Sequence, residues 1–217
     1  MNILPPHSYY LAIIGDIVRS REIENRKAFQ QQFHGVMAEL NRQFQSEIVS
    51  PFTVTLGDEF QALLHRADAL FEIYRFLHQQ LHPQQLVIGV GVGEIETEIN
   101  RESSIGMDGP CLRLARQEIE AAKRQPPRLR FNVQGLEVPI LNVLMQHVER
   151  LEAKRTPRQR EIVALYRKLR HQQAVARQLG ISQAAVSQAL ENAHYFLVEE
   201  SRTAIVQFLN QFIKPSE

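Results

Sequence analysis

Two periods of hydrophobic spacing divide the first two thirds of the chain into predicted strands and helices. Near-continuous or alternating apolar runs predict strands at 9–18, 86–93 and 129–133. Two further β-prone runs flank Gly57 and Asp58 and predict a hairpin over 54–64. Apolar positions three and four residues apart predict helices at 25–44, 66–81, 109–124 and 139–151.

The resulting order is strand, helix, hairpin, helix, strand, helix, strand. It predicts an α/β (α+β) sandwich with a mostly antiparallel sheet and with helices over one or both faces. The order resembles that of ferredoxin-like domains, which implies that residues 1–135 form one domain. Gly89, Gly91 and Gly93 leave one face of their strand bare, so we expect either close packing of another segment there or a bulge in the strand.

The last third of the chain changes to helical spacing throughout. Thr156 and Pro157 have the residue types of a helix N-terminus. Ala176, Gly180 and Val186 follow at the spacing of two helices that cross steeply around a short turn. The pattern predicts an all-α helix-turn-helix domain over 156–217, after a helical connector over 136–155. Its helices are expected at 158–169, 172–179, 183–197 and 202–213.

The net charge of +1 conceals an asymmetry between these two parts. Residues 1–150 carry 15 Lys/Arg and 18 Asp/Glu, whereas residues 151–217 carry 10 and 6. A mildly acidic first part followed by a basic second part is typical of a sensing or catalytic module joined to a nucleic-acid binder.

Cysteine content and hydropathy narrow the protein class. The single cysteine, Cys111, excludes an intramolecular disulfide and argues against a cysteine-based metal site. No segment has the length and apolar character of a membrane span, and residues 1–7 do not have the pattern of a secretory signal. We therefore expect a cytoplasmic protein.

Two acidic residues are the first candidates for chemistry. Asp16 ends an apolar strand, and Asp58 lies at the tip of the predicted hairpin. Singly, each has an ordinary explanation, a helix cap for Asp16 and a turn residue for Asp58. Two aspartates on neighbouring strands are also a minimal site for Mg²⁺ with a bound phosphate. The sequence therefore predicts a metal pair at Asp16 and Asp58.

Several motifs resemble class III nucleotidyl cyclase domains and the related GGDEF diguanylate cyclases. Ile14–Val18 resembles their first metal-binding strand, and Gly57–Phe60 reproduces four letters of the GGDEF signature. Ile88–Gly93 with Gly109–Arg116 resembles the following strand and helix. The overlap covers roughly residues 9–124 in the same order. Residues 15–21 and the two-part layout also resemble the SatD family of bacterial proteins.

The departures from the cyclase pattern bear on activity. Arg113 stands where the cyclases have the ribose-orienting asparagine, and Gln117 where they have the transition-state arginine. The base-reading positions fall at Val54 and Pro110. Phosphoryl transfer needs positive charge where negative charge develops, so the resemblance implies ligand binding without cyclisation. The nucleotide- or phosphate-binding residues predicted on this basis are Ile17, Arg19, Ser20, Arg21, Glu59, Arg113 and Arg116.

The second part resembles the C-terminal region of sigma factors and LuxR-type regulators, in which a start like that of residues 156–161 is common. The resemblance implies binding to double-stranded DNA, and regulators of this kind usually dimerise, so we expect a homodimer. Further phosphate contacts are open to Lys154, Arg155, Arg160 and Arg170. The predicted DNA-binding residues are Arg158, Arg177, Ser182, Gln183, Ala184, Ser187 and Gln188.

Two other functions remain open at this point. One is an active Mg²⁺-dependent nucleotide enzyme whose C-terminal domain only positions it. The other is a scaffold in which both domains are protein-interaction surfaces. Gln117 argues against the first, and the basic segment 151–195 argues against the second.

Overall fold

The computed structural model describes residues 9–213. The strands are β1 (Tyr10–Ile17), β2 (Ile48–Leu56), β3 (Glu59–Leu64), β4 (Leu86–Gly93) and β5 (Leu129–Val133). The first helices are α1 (Arg26–Gln43), α2 (Leu70–Gln80), α3 (Pro110–Arg124) and α4 (Pro139–Ala153). Those that follow are α5 (Pro157–Leu169), α6 (Gln172–Leu179), α7 (Gln183–Asn192) and α8 (Tyr195–Asn210). A 3₁₀ helix spans Ser20–Glu22.

The strands form one five-stranded sheet in the order β2-β3-β1-β4-β5. β1 is central and runs antiparallel to both β3 and β4, while β5 joins β4 in parallel. The predicted mixed α/β class and the mostly antiparallel sheet are confirmed. β2 and β3 are joined by a two-residue turn, in which Gly57 has a φ of 60° that a glycine adopts without strain.

The glycines of β4 bring α3 against one face of the sheet. A Cβ on Gly89 would lie 2.5 Å from the Ile119 nitrogen, and one on Gly91 would lie 2.6 Å from the Ala115 nitrogen. Of the two predicted alternatives, close packing of another segment on this bare face is therefore confirmed. Cys111 is buried in the same layer, where burial raises the pKa of its thiol to about 12, so it is a packing residue rather than a nucleophile.

The opposite face of the sheet is covered by α1 and its neighbour α2. Phe33 of α1 and Phe52 of β2 both pack against Phe60 of β3, with ring centroids 6.1 and 5.9 Å away. Phe60 in turn lies over Gly15 of β1, where a Cβ would collide with its ring. Since side chains alternate along a strand, Asp16 points to the other face, toward α3.

Helices α5, α6 and α7 share a separate apolar core. Its fully buried members include Val175 and Val186, one from each of the two shorter helices. Gly180 ends α6 with a φ of 64°, and the Ser182 hydroxyl caps α7 by accepting a hydrogen bond from the Ala185 N–H at 3.1 Å. The Thr156 capping box at the start of α5 agrees with the helix start predicted there.

A network of ion pairs joins α4, α5 and α8. Glu152 of α4 accepts hydrogen bonds from Arg155 at 2.9 Å and from Arg202 of α8 at 2.6 Å. Glu199 of α8 accepts from Arg167 of α5 and from Arg202, each at 2.8 Å. Although burial opposes it, the charge of Arg167 and then its hydrogen bond lower the pKa of Glu199.

Three predicted helix boundaries were wrong. The predicted helix over 183–197 ends at Asn192, and α8 begins at Tyr195 rather than near 202. The break falls at His194, whose φ is 50°. It lets the Tyr195 ring pack edge-on against Tyr166, with centroids 5.2 Å apart. The second helix also starts later than expected, at Leu70 instead of 66.

Contacts divide the described chain into two compact units. The first comprises residues 9–142 with 205–213, and the second comprises 143–204. The Asn210 side chain belongs to the first unit, where it accepts a hydrogen bond from the Ala67 N–H at 2.8 Å. The predicted domains over 1–135 and 156–217 include residues 1–8 and 214–217, which lie outside the described residues. Which segments fold independently stays a prediction. Across residues 9–213, no helix is long and apolar enough to cross a membrane.

Candidate functional site: an acidic and basic cleft at the end of β1

A cleft of about 630 Å³ lies where β1 ends and the 3₁₀ helix begins. The β2–β3 turn and the last turn of α3 form its other walls. Seven of the nine metal- and phosphate-site residues predicted from the sequence line this cleft. They are Asp16, Ile17, Arg19, Ser20, Arg21, Asp58 and Glu59.

Asp16 is the second-last residue of the central strand, β1, and its side chain points toward α3. Its carboxylate is 2.7 Å from the Lys123 ammonium, and only 17% of its side chain is exposed. Burial raises the pKa of the Asp16 carboxyl, and the hydrogen bond and charge of Lys123 offset only part of that effect. Asp58 and Glu59 add to the increase by repulsion. The charge of Asp16 is therefore incompletely balanced by its present partner.

Lys123 is one of four cleft residues that were not predicted, together with Val18, Glu22 and Leu56. It also lies 2.9 Å from Glu120, one helical turn earlier on α3. Although partial burial opposes it, the hydrogen bonds to Asp16 and Glu120 raise the pKa of Lys123. A usable signal was present in the pattern, because Arg116, Glu120 and Lys123 are charged residues at the i, i+4, i+7 spacing of one helix edge.

Asp58 lies in the turn between β2 and β3, at the tip of the predicted hairpin rather than within a strand. The backbone N–H of Ile17 donates to the Asp58 carbonyl at 3.3 Å, which ties the turn to the end of β1. The Ser20 hydroxyl, buried on the 3₁₀ helix, donates to the Asp58 carboxylate. Asp58 is thus oriented toward the cleft by the segment that follows β1.

Glu59 is directly opposite Asp16 in the register of β1 and β3. Its side chain is 8% exposed and forms a two-pronged ion pair with Arg116, in which one contact measures 2.7 Å. The Thr55 hydroxyl donates to the same carboxylate at 2.8 Å. Although burial opposes it, the hydrogen bonds from Arg116 and then Thr55 lower the pKa of Glu59. Glu59 therefore acts mainly as the anchor of Arg116.

Arg113 and Arg116 are not among the described residues that line the cleft. Arg113 is 3.0 Å from both Glu96 and Asp108 on the loop after β4. Arg116 is held by Glu59 as described above. Both arginines have acidic partners of their own, and their predicted phosphate contacts stay predictions.

A second, larger cavity of about 810 Å³ adjoins the first. Val18, Arg19, Glu22 and Lys123 line both of them. The remaining walls come from the start of α1, the loop before β4 and Arg128. Lys123 thus borders a space that is large enough, together with the cleft, for a nucleotide-sized ligand.

Whether the cleft fits Mg²⁺ depends on its oxygen atoms. Asp16 and Asp58 provide the carboxylates that this ion prefers, and it commonly keeps waters and ligand phosphates as its other partners. Because the charge of Lys123 only partly offsets the burial of Asp16, this carboxylate could gain from a bound cation. Residues 9–213 contain no group of three or more His, Cys, Asp or Glu side chains arranged to hold a metal. The two carboxylates fit one shared ion only if Lys123 moves away from Asp16.

The predicted DNA-binding residues are all exposed in the second unit. Ser182, Gln183, Ala184, Ser187 and Gln188 are all exposed around the first turns of α7. Arg177 of α6 is also exposed, and Arg158 of α5 is exposed but paired with Glu161 at 2.7 Å.

Arg155, which the sequence grouped with phosphate-contacting residues, is 5% exposed and bound to Glu152 and to the Ala193 carbonyl. That prediction was wrong, because the guanidinium is part of the core network.

In a comparison with protein-family models, residues 10–208 match the SatD family. The chain belongs to the SatD family. The match spans both units and therefore covers the cleft as well as the helices that follow it. A comparison with curated proteins gave no match.

Among solved structures, this SatD-family chain is similar to three cyclases. A bacterial light-regulated adenylyl cyclase aligns with 17% identity and a TM-score of 0.43, over 60% of this chain and 44% of that one. The catalytic core of a rhodopsin-guanylyl cyclase with converted specificity, in complex with ATPαS, aligns with 13% identity and a TM-score of 0.38, over 54% and 74%. The guanylyl cyclase Cya2 aligns with 16% identity and a TM-score of 0.33, over 52% and 71%. The chain thus spans less than half the length of the first of these proteins, and the likeness at these scores is partial.

Proposed function

We propose that the chain is a DNA-binding regulator whose first unit binds a nucleotide or another phosphate-bearing ligand without cyclising it. The observation that carries the ligand half of the proposal is the cleft, in which carboxylates and basic side chains share one cavity. The members that matter are Asp16, Asp58, Arg19, Arg21 and Lys123. Carboxylates for a cation, next to positive charge for phosphate oxygens, are what a metal–phosphate ligand requires.

Mg²⁺ is the proposed cofactor. It would be held by Asp16 and Asp58, and when bound it would supply positive charge to the phosphate oxygens. The chain's own contribution is to orient these carboxylates, through Ser20 for Asp58 and through the end of β1 for Asp16.

Cyclisation is not part of the proposal, because two positions that matter for it are unsuited to the task. Gln117, which occupies the place of the transition-state arginine in the resemblance, is neutral and exposed. Arg113, in the place of the ribose-orienting asparagine, is held by Glu96 and Asp108. With a neutral side chain at Gln117, and with the charge of Arg113 already paired with two acids, the developing charge on the phosphate has fewer stabilising contacts.

A thermal-shift screen of nucleotides and cyclic dinucleotides, with and without Mg²⁺, tests the ligand half. A ligand present at about one hundred times its Kd is expected to raise the Tm by roughly 5 °C or more. Asp16→Asn should cancel the Mg²⁺-dependent part of the shift. Glu72→Gln, the same carboxylate-to-amide change at an exposed site on α2, should leave it intact. An equal shift in Asp16→Asn and the parent would contradict the role of Asp16.

The DNA-binding half rests on the second unit. Helices α6 and α7 meet around Gly180, their buried contacts include Val175 and Val186, and the polar residues of α7 are free of that core. This arrangement supports a helix-turn-helix in which α7 enters the major groove, where glutamine can pair with adenine.

We further propose a ferredoxin-like topology for the first unit, which the strand order β2-β3-β1-β4 supports. We also propose that the protein is a homodimer, which light scattering would test.

Electrophoretic mobility shift with genomic fragments tests the DNA half. Binding should weaken steeply as salt increases, because phosphate contacts release counterions. The double change Gln183→Ala and Gln188→Ala should reduce sequence preference by about tenfold or more, while Gln31→Ala on α1 should not. The absence of salt-sensitive binding to any duplex would refute this half and leave the ligand half standing.

A further inference from the structure

The place beside Asp16 that a metal ion would take is held by a side chain of the protein. The Lys123 ammonium is 2.7 Å from the Asp16 carboxylate, within the range of a charge-assisted hydrogen bond. A protonated amine carries three donors and a full positive charge, so it satisfies a carboxylate in much the way that a cation does. An ammonium and a divalent ion cannot both occupy the same carboxylate oxygen.

Lys123 also has a second partner that does not depend on Asp16. Glu120 is one turn earlier on α3, 2.9 Å from the same ammonium, and about half exposed. Release of Asp16 would therefore leave Lys123 paired rather than isolated. The flexible four-carbon stem of lysine makes such a change inexpensive compared with a movement of backbone.

We propose that Lys123 competes with a divalent cation for Asp16, so that metal enters the cleft only when Lys123 retreats to Glu120. The proposal rests on the proposed ligand site and specifies how its metal occupancy is regulated. Lys123 keeps the carboxylate satisfied in the absence of metal and sets the metal concentration at which the site fills. Because Lys123 borders both cavities, a phosphate in the adjoining cavity would draw the ammonium from Asp16 and favour metal entry.

Isothermal titration calorimetry of the full chain with MnCl₂, in the absence of any nucleotide, tests the proposal. Lys123→Met is expected to bind Mn²⁺ about tenfold more tightly than the parent, since a partly buried ion pair no longer has to be broken. Lys123→Arg, which retains the charge and can retain the pair, should stay within about twofold of the parent.

A charge control separates competition at Asp16 from general electrostatics. Arg124→Met removes the same charge from the residue next to Lys123 on α3, but Arg124 is exposed and lines neither the cleft nor the adjoining cavity. It should change the Kd for Mn²⁺ by no more than about twofold. Adding Asp16→Asn to Lys123→Met should abolish the gain.

Three results would overturn the proposal: unchanged or weaker Mn²⁺ binding by Lys123→Met, an equal gain in Arg124→Met, or no Mn²⁺ binding by either the parent or Lys123→Met. Tighter binding cannot arise from loss of folding, so the gain is informative even if the variant is less stable. The calorimetric experiment contains no nucleotide. If the chain binds Mn²⁺ as expected but no nucleotide raises its Tm, the proposed ligand is refuted and the competition for Asp16 is not.

Discussion

The cleft of the first unit and the ionic network of the second both contain partly buried acids, but the pKa values of these acids shift in opposite directions. In the cleft, burial raises the pKa of Asp16, and its one close cation is divided between Asp16 and Glu120. In the network, Glu199 has two close guanidinium partners, and its pKa is lowered although burial opposes the shift.

The difference separates an acid that is available for a ligand from one that serves the fold. A carboxylate whose burial is not balanced by the protein gains from an added cation, whereas one that already has two arginines gains little. The two regions also differ in how their charges are positioned. In the first unit, α3 and its Lys123 are set by backbone packing on the glycines of β4, while in the second the ion pairs themselves join the helices.

The largest expected effect is that of Gly89→Ala. The new Cβ would lie 2.5 Å from the Ile119 nitrogen and would meet the Ala115 carbonyl, neither of which can give way without moving α3. We expect a loss of about 3 kcal/mol or more in the free energy of unfolding, measured by urea denaturation. Gly35→Ala on α1, where no atom lies within 4 Å, should be neutral or stabilising. Equal effects would mean that backbone packing does not position α3.

Glu152→Gln should have the next largest effect, because Glu152 pairs with Arg155, Arg202 and, at 3.5 Å, Arg167. The side chains of Arg155 and Arg202 are only 4% and 5% exposed. Loss of the shared charge leaves Arg155 buried beside a neutral partner and leaves Glu199 as the acid that pairs with Arg202. We expect the free energy of unfolding to fall by about 3 kcal/mol. The control is Glu161→Gln in the half-exposed pair with Arg158, with an expected change within about 0.5 kcal/mol.

The pH dependence of Glu199 should be intermediate in size. Its pKa in the folded protein is below the ordinary value of 4.5, so the unfolded chain binds the proton more readily. Its contribution is therefore complete above about pH 4.5 and is lost as the pH falls through the lower, folded-state value. Near neutral pH, Glu199→Gln should cost about 1 to 2 kcal/mol, and the difference from the parent should shrink in acid. If the stability difference between Glu199→Gln and the parent grew as the pH fell, the lowered pKa of Glu199 would be contradicted.

The smallest effect is expected for Asp16→Asn. Burial destabilises the charged form of Asp16 more than the interaction with Lys123 stabilises it. Neutralising Asp16 should therefore change the free energy of unfolding by less than about 1 kcal/mol in either direction. Urea denaturation of Asp16→Asn beside Glu152→Gln compares the two regions directly. A loss as large as that of Glu152→Gln would show that Asp16 serves the fold, and the contrast between the regions would fail.

Local patterns were sufficient for most elements. β5 and α6 match their predicted bounds, because apolar spacing and flanking turn residues are contained within each segment. The break at His194 was missed since the apolar spacing continues through it. The break allows Tyr195 to pack in the core beside Tyr166 of α5. The residues next to Tyr195 in the chain do not predict that contact.

By itself, the sequence determined the order of strands and helices, the close approach at the β4 glycines and the two aspartates of the cleft. These follow from side-chain size, backbone freedom and periodicity, which act over a few residues. The pairing of Lys123 with Asp16 and of Arg116 with Glu59 was decided only by the tertiary structure. Such partners are distant in the chain, and they meet because the packing of α3 on the sheet brings one edge of the helix over the ends of β1 and β3.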